Sequence, residues 1–217
     1  MNYTIIDAPQ RSDAWFAARA GRLTASVAGD MLATIKSGEA AARRNLRLRL
    51  VLERLTGKPQ ESGYVSAAML QGIEREAEAR AYYEALTGNA VENTGFVQHD
   101  DHMAGASLDG CVFGHFGGIY KILELKSPEP SAHLAVIRTG NIGAAYQAQV
   151  MHSLWITGAE SCDWMSYNPD FPEKLRAKLI TIQRDDAAIA DYERKALEFL
   201  AEVDRELAEV ANLEVAV

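Results

Sequence analysis

The chain has 217 residues, 48% hydrophobic and 24% charged, a balance that fits an ordinary globular protein and excludes a disordered or fibrous one. No apolar run is long enough to span a membrane. The formal net charge of −8 argues at first against a nucleic-acid partner.

The N-terminal Met-Asn-Tyr-Thr-Ile-Ile-Asp has no basic segment ahead of an apolar one, so no signal peptide is expected. Ser12 is a helix N-cap for Asp13 to Arg19, and Gly21 ends that helix. Thr24 or Ser26 caps a second helix running to about Leu32. Arg19, Arg22, Thr24 and Ser26 gather at its start, where free N–H groups could hold a phosphate. Composition alone favours plain capping there.

Glu39 to Leu55 has helical periodicity, with Leu46, Leu50 and Leu55 among its apolar positions. From Arg43 to Lys58 it carries Arg43, Arg44, Arg47, Arg49, Arg54 and Lys58 against Glu53 alone. This band is either a solvated face or a phosphate track, and the sequence leaves both open. Ser66 to Leu86 is a long helix stopped at Thr87-Gly88, with Glu74, Glu76 and Arg80 on an acidic face. Strands are expected at Val91–Val97, Met103–Ser107, Ile119–Leu125, Ser161–Tyr167 and Leu175–Ile182. His99-Asp-Asp-His102 reads as a polar turn between the first two, and His115, His133 and His152 are isolated.

Ser131 to Arg138 and Asn141 to Trp155 are helical, the latter carrying Tyr146, Gln147, Gln149 and His152. Gln147 and Gln149 face opposite ways, so one at most serves a given site. Asp185 to Val210 is a long amphipathic helix rich in acids. Cys111 and Cys162 are far apart, without metal spacing, and are expected as reduced thiols of a cytoplasmic protein. Helices, then strands with two helices inserted, then a closing helix predict an α/β or α+β domain on a mixed central sheet.

The chemistry concentrates on Gly118-Gly-Ile-Tyr-Lys-Ile-Leu-Glu-Leu-Lys126. Glu124 and Lys126 are two apart and share a strand face, while Leu125 points into a core. Such a pair costs desolvation unless it binds something, although a surface ion pair is the bland alternative. Asp109, at the end of the extended run from Ala104, supplies a second carboxylate from a neighbouring strand. Two carboxylates for a hard divalent cation and a Lys beside them form the arrangement that metal-dependent nucleases use.

Four blocks in order carry a family resemblance: Ser12 to Ser26, Gly72-Ile-Glu-Arg-Glu76, Ser107-Leu-Asp-Gly110 with Leu123-Glu-Leu-Lys-Ser-Pro128, and Tyr146 to Trp155. Together they resemble the lambda-type phage exonucleases, or YqaJ-type viral recombinases, within the restriction-endonuclease-like nucleases. Leu108 departs from the expected Pro and bears on the turn rather than the ligands. The resemblance implies one nuclease domain over 1–217, with helices over residues 1–88, a sheet core over 89–182 and a C-terminal helix over 183–212.

Asp109, Glu124 and the Leu125 carbonyl would hold one Mg²⁺. Asp109, with Glu76 nearby, would reach a second, Mn²⁺ being a substitute. Lys126 would orient or deprotonate the attacking water. Arg19, Ser26, Ser107 and Gln149 would bind the 5′-phosphate, which selects Gln149 over Gln147. Met69 would wedge against the terminal base pair. Also implied are a homotrimeric ring on double-stranded DNA, 5′-to-3′ digestion leaving 3′ overhangs, a phage single-strand annealing partner, and a phage or prophage origin. A sequence- or structure-specific endonuclease of the same superfamily and a non-catalytic DNA-binding scaffold are the alternatives.

Overall fold

The computed structural model describes residues 2–60 and 67–213. In the helix that follows the gap, the side chains of residues 67–69 and 71–73 lie outside the description. The chain opens with β1 (Tyr3–Ile6) and α1 (Asp13–Arg19). Ser12 caps α1 as expected, its Oγ accepting from the Trp15 N–H at 3.2 Å. β2 (Leu23–Thr24) follows, then a 3₁₀ turn (Ala25–Val27) and the one-turn α2 (Ala28–Met31), where a single longer helix was expected.

The helices α3 (Ala41–Thr56) and α4 (Ala67–Thr87) match the sequence reading closely. α3 closes on Gly57 in the left-handed region, at φ 64°. It also grips the turn after α1. Glu53 Oε2 accepts from the Gly21 N–H at 2.7 Å, and Arg54 Nε donates to the Gly21 carbonyl at 2.8 Å. At Gly21 a Cβ would stand 2.6 Å from Arg54 Cγ, so this approach requires glycine.

The strands form two four-stranded sheets rather than one. In the first, β1 pairs antiparallel with β3 (Phe96–His99), β3 antiparallel with β4 (Ala104–Ala106), and β4 parallel with β2. In the second, β5 (Gly110–Phe113) pairs antiparallel with β6 (Ile119–Lys126). β6 then runs parallel to β7 (Ser161–Tyr167), and β7 antiparallel to β8 (Ala177–Gln183). The expected strand Val91–Val97 forms only at its C-terminal end, as β3. Most of its first half is irregular because Glu92 bridges to Cys111 instead.

The crossover from β6 to β7 contains α5 (Pro130–Thr139) and α6 (Ala144–Thr157). α6 joins the sheets, packing on β3 and β4 of the first and on β6 and β7 of the second. From Val150 to Thr157 it is buried apart from the half-buried Met151, with Leu154 and Ile156 at 2% exposure. Replacing Leu154 by Ala would cost about 2–5 kcal/mol.

α7 (Asp186–Ala211) closes the fold against α3 and α6. Here the open question about the arginine band is answered for three of its residues. Arg43 pairs with Glu202 (2.7 Å), Arg47 with Glu206 (2.6 Å) and Arg54 with Asp204 (2.5 Å). Glu39 engages Arg43 and Arg47 as well. Arg43, Arg47 and Arg54 thus face the acids of α7, while Arg44 and Lys58 are exposed and Arg49 approaches Glu53 of its own helix. Among the described residues no helix is long and apolar enough to cross a membrane. Both cysteines are free and buried, opposite Ile122 on either side of β6, and burial raises both thiols.

Candidate active site

The alternation of β6 does what the sequence says it should. Leu123 and Leu125 turn into a small core with Ala79 and Tyr83 of α4 and Met165 and Tyr167 of β7. Glu124 and Lys126 project from the other face, toward α6, and form an ion pair. Glu124 is only 3% exposed and its Oε1 also accepts from Gln149 Nε2 at 2.6 Å. Lys126 Nζ stands 5.4 Å from the Tyr146 ring centroid. Of the two glutamines on α6, Gln149 meets the site. Gln147 instead lines an apolar cleft with Ile142, Val150 and Ile182.

Asp109 reaches β6 by a route the sequence did not suggest. It lies between β4 and β5, one residue beyond the Gly110–Leu123 pair, and β4 belongs to the other sheet. Its Oδ2 accepts from the Leu125 N–H at 2.7 Å, extending the ladder with a side chain. Gly110 allows the bend, since a Cβ there would sit 2.3 Å from Val91 Cγ1.

Glu76 approaches from α4, with Arg80 one turn on. The Arg80 Nη2 donates both to Glu76 Oε1 (2.9 Å) and to the Asp109 carbonyl (2.7 Å). Sequence reasoning gave Arg80 no role. Its spacing from Glu76 was visible, its reach to Asp109 was not.

Burial and the nearby Asp109 act on the other two acids. Burial, then Asp109, raises the Glu76 carboxyl above its usual range, although Arg80, Arg11 and Lys126 oppose this. Glu124 is pushed up to about 7, mainly by burial, with Asp109 adding and Lys126 and Gln149 opposing. Burial alone would lower Lys126, but Glu124 and Asp109 outweigh it and hold the ammonium above the ordinary lysine value. Crowded, desolvated carboxylates with all-oxygen donors are the chemistry that a hard divalent cation neutralises. The donor set therefore fits Mg²⁺. In the described geometry, however, Asp109 and Glu124 are engaged by Leu125, Lys126 and Gln149. No group of three or more His, Cys, Asp or Glu is poised for a metal among the described residues.

A second cluster adjoins the first. Arg19, 8% exposed, stacks on Trp15 with Cζ 4.1 Å from the ring centroid. Arg19 Nη1 (3.1 Å) and Trp15 Nε1 (3.0 Å) both donate to Ser107 Oγ. Trp15 is thus a neighbour of the predicted phosphate-binding residues that the sequence did not single out. Ser26 is exposed, its hydroxyl 3.4 Å from that of Thr24. Met69 lies in the first turn of α4, and its side chain falls outside the described residues.

The architecture and this strand-end cluster place the protein among exonuclease folds. A crystal structure of the alkaline exonuclease LHK-Exo from Laribacter hongkongensis superposes with a TM-score of 0.81 at 35% identity. The match covers 92% of this chain and 96% of that one. The structure of LHK-Exo in complex with dAMP gives 0.82 over the same shares, again at 35% identity. A phage-related exonuclease from Haemophilus somnus 129PT, 14% identical, shares the fold (TM-score 0.64, 87% of this chain and 96% of that one). The Escherichia coli K12 protein ExoD is 29% identical over 69 residues, 32% of this chain and 78% of ExoD. Residues 14–160 match the YqaJ-like viral recombinase domain, and the chain belongs to that family.

Proposed function

We propose that this protein is a Mg²⁺-dependent exonuclease that digests linear double-stranded DNA 5′ to 3′ as one domain spanning 1–217, leaving 3′ overhangs for annealing. The observation that carries this reading is the meeting of Asp109, Glu124 and Lys126 at the end of β6, with Glu76 and Arg80 beside them. Asp109, Glu124, Glu76 and the Leu125 carbonyl would hold the metal. When bound, two Mg²⁺ (or Mn²⁺) would supply an activated water and neutralise charge at phosphorus.

The chain's own side chains do the rest. Arg80 fixes Glu76 relative to the Asp109 backbone. Gln149 holds Glu124 from α6 in this state, and in the proposed reading it turns with Arg19, Ser26 and Ser107 to the terminal 5′-phosphate. Stacking on Trp15 presets the Arg19 guanidinium, which lowers the ordering cost of phosphate binding. Lys126 orients the attacking water as an ammonium; bound divalent metal would oppose the carboxylates that hold its proton, so that at alkaline pH it could also take a proton from that water. Activity should therefore rise from mildly acidic to alkaline pH. Met69 is proposed as the wedge at the terminal base pair. A homotrimeric ring, an annealing-protein partner and a phage or prophage origin in the bacterial cytoplasm complete the reading.

The test is incubation of 5′-phosphorylated linear duplex with and without Mg²⁺, with each strand labelled separately. The 5′-ended strand should shorten only with metal, and circular duplex should survive. Nicking of circles would instead favour an endonuclease, and binding without any cleavage a scaffold.

A further inference from the structure

A cleft of about 290 Å³ opens beyond Glu76. It is lined by Asp7 to Arg11, Glu76, Arg80 and the segment Asn93-Thr94-Gly95. It shares Glu76 and Arg80 with the catalytic group and includes none of Arg19, Ser26, Ser107 or Gln149.

Three independent features mark it. Arg11 has φ 68° and is the one non-glycine residue with positive φ among the described residues. It stands in the turn closed by the Ser12 N–H on the Pro9 carbonyl (3.0 Å), at a position glycine usually fills. That backbone costs on the order of 1 kcal/mol and persists only where the surroundings enforce it. Gln10 enforces it here, donating at 2.9 Å to the carbonyl of Leu108, next to Asp109.

Second, Thr94 is 4% exposed and its hydroxyl has no hydrogen-bond partner. Third, the Arg80 Nε–H is likewise buried without a partner, although its Nη2 is doubly used. Gly95 closes the wall, since a Cβ there would lie 2.3 Å from the Ala8 carbonyl oxygen. Buried donors left over, beside two guanidinium groups, call for a ligand rich in acceptors and negative charge. Of the two acids in the lining, Glu76 is engaged by Arg80 and Asp7 is exposed to water.

We infer that this cleft is a second phosphate site. It takes a backbone phosphate of the degraded strand that is neither the terminal nor the scissile one. Arg11 neutralises that phosphate, and Thr94 and the Arg80 Nε–H donate to it. The inference rests on the DNA reading above and adds to it a contact that keeps the strand in register as its end is consumed.

The test uses the full-length protein in EDTA, so that cleavage is not needed. Affinity is measured for a fluorescent 5′-phosphorylated duplex, and for copies in which each of the first several phosphodiesters in turn is a neutral methylphosphonate. Arg11→Asn is the main variant because Asn tolerates the left-handed backbone. It should weaken the unmodified duplex about ten-fold and lower the salt slope by about one. At one methylphosphonate position, wild type should lose a similar factor while Arg11→Asn loses nothing further. Thr94→Val should show a smaller loss that vanishes at the same position.

Losses from protein and DNA changes that simply multiply at every position would overturn the site, as would an unchanged Arg11→Asn affinity. If Arg11→Asn fails to fold, the wild-type scan and Thr94→Val still decide the matter. Binding without this coupling removes the second site alone. A wild type that neither binds the duplex nor, with Mg²⁺, cuts it removes the proposed function and this inference with it.

Discussion

Two regions of this molecule are dense in opposite charges, and they behave differently. Along α3 and α7, Arg43, Arg47 and Arg54 each find acids at 2.5–2.7 Å. That seam is neutralised from within the chain. At the end of β6, burial, with Asp109 adding to it, raises Glu76 and Glu124 above their ordinary range, and donors such as the Arg80 Nε–H are left over nearby. A run of arginines in the sequence was thus the weaker guide to a nucleic-acid partner than three acids spread over 49 residues. The lesson is to ask how deeply the charges are buried and what surrounds them, not how many there are.

The contrast can be broken by mutation, beginning where the effect is largest. Asp109→Ala or Glu124→Gln should lower turnover on linear duplex by about a thousand-fold or more, because a lost metal ligand removes transition-state stabilisation. Circular dichroism should show an intact fold, and turnover within about ten-fold of wild type would exclude these residues from the chemistry. Next, Arg19→Ala should slow digestion of 5′-phosphorylated duplex by about ten- to a hundred-fold, since a charge-assisted contact to phosphate is lost. Hydroxyl-ended duplex should slow much less, and equal slowing of both ends would count against the pocket.

Acid sensitivity comes third, and it tests the core rather than either charged region. His152 donates from Nε2 to the Gly105 carbonyl (3.1 Å) and accepts at Nδ1 from the Tyr192 hydroxyl (2.7 Å), which fixes one neutral tautomer. Burial lowers its pKa to about 3. The unfolded chain binds a proton near pH 6.5 that the native state refuses, so this contribution is intact above about 6.5 and lost as pH falls from there toward 3. The loss is up to about 1.4 kcal/mol per pH unit. Urea midpoints at about pH 7.5 and about pH 5 should separate accordingly, and His152→Gln should narrow the gap. The smallest effect belongs to the seam. Arg47→Ala should cost about 1 kcal/mol or less. It should leave DNA affinity within about two-fold, since an arginine already paired inside the chain has no phosphate to give up. A large affinity loss would return the arginine band to the DNA-binding surface.

What the sequence disclosed follows the range of the interactions. β6, its polar face and α1, α3, α4 and α7 were legible because periodicity and capping are local. The partition into two sheets was not, because pairs such as Leu23 with Ala104 join distant segments. β5 went unseen because Gly-Cys-Val-Phe is too short to show alternation. Asp109 was found by its motif and assigned to the wrong strand for that reason. The acids that occupy Arg43, Arg47 and Arg54 lie about 150 residues away along the chain, beyond any window of pattern reading. The Pro9–Ser12 turn with Arg11 at positive φ carries no turn signal at that residue, since nothing in an arginine announces a left-handed backbone.

The parallel pairing of β6 with β7 has a consequence for the order in which the chain matures. The β5–β6 hairpin can close as soon as residue 126 has left the ribosome, but β7 begins only at Ser161, after the whole crossover has been made. Until α6 folds back, Gln149 and the helix that covers Glu124 are missing. Long-range closure of this kind is slow compared with hairpin formation. A nascent copy therefore holds all three acids before it holds the packing that surrounds them.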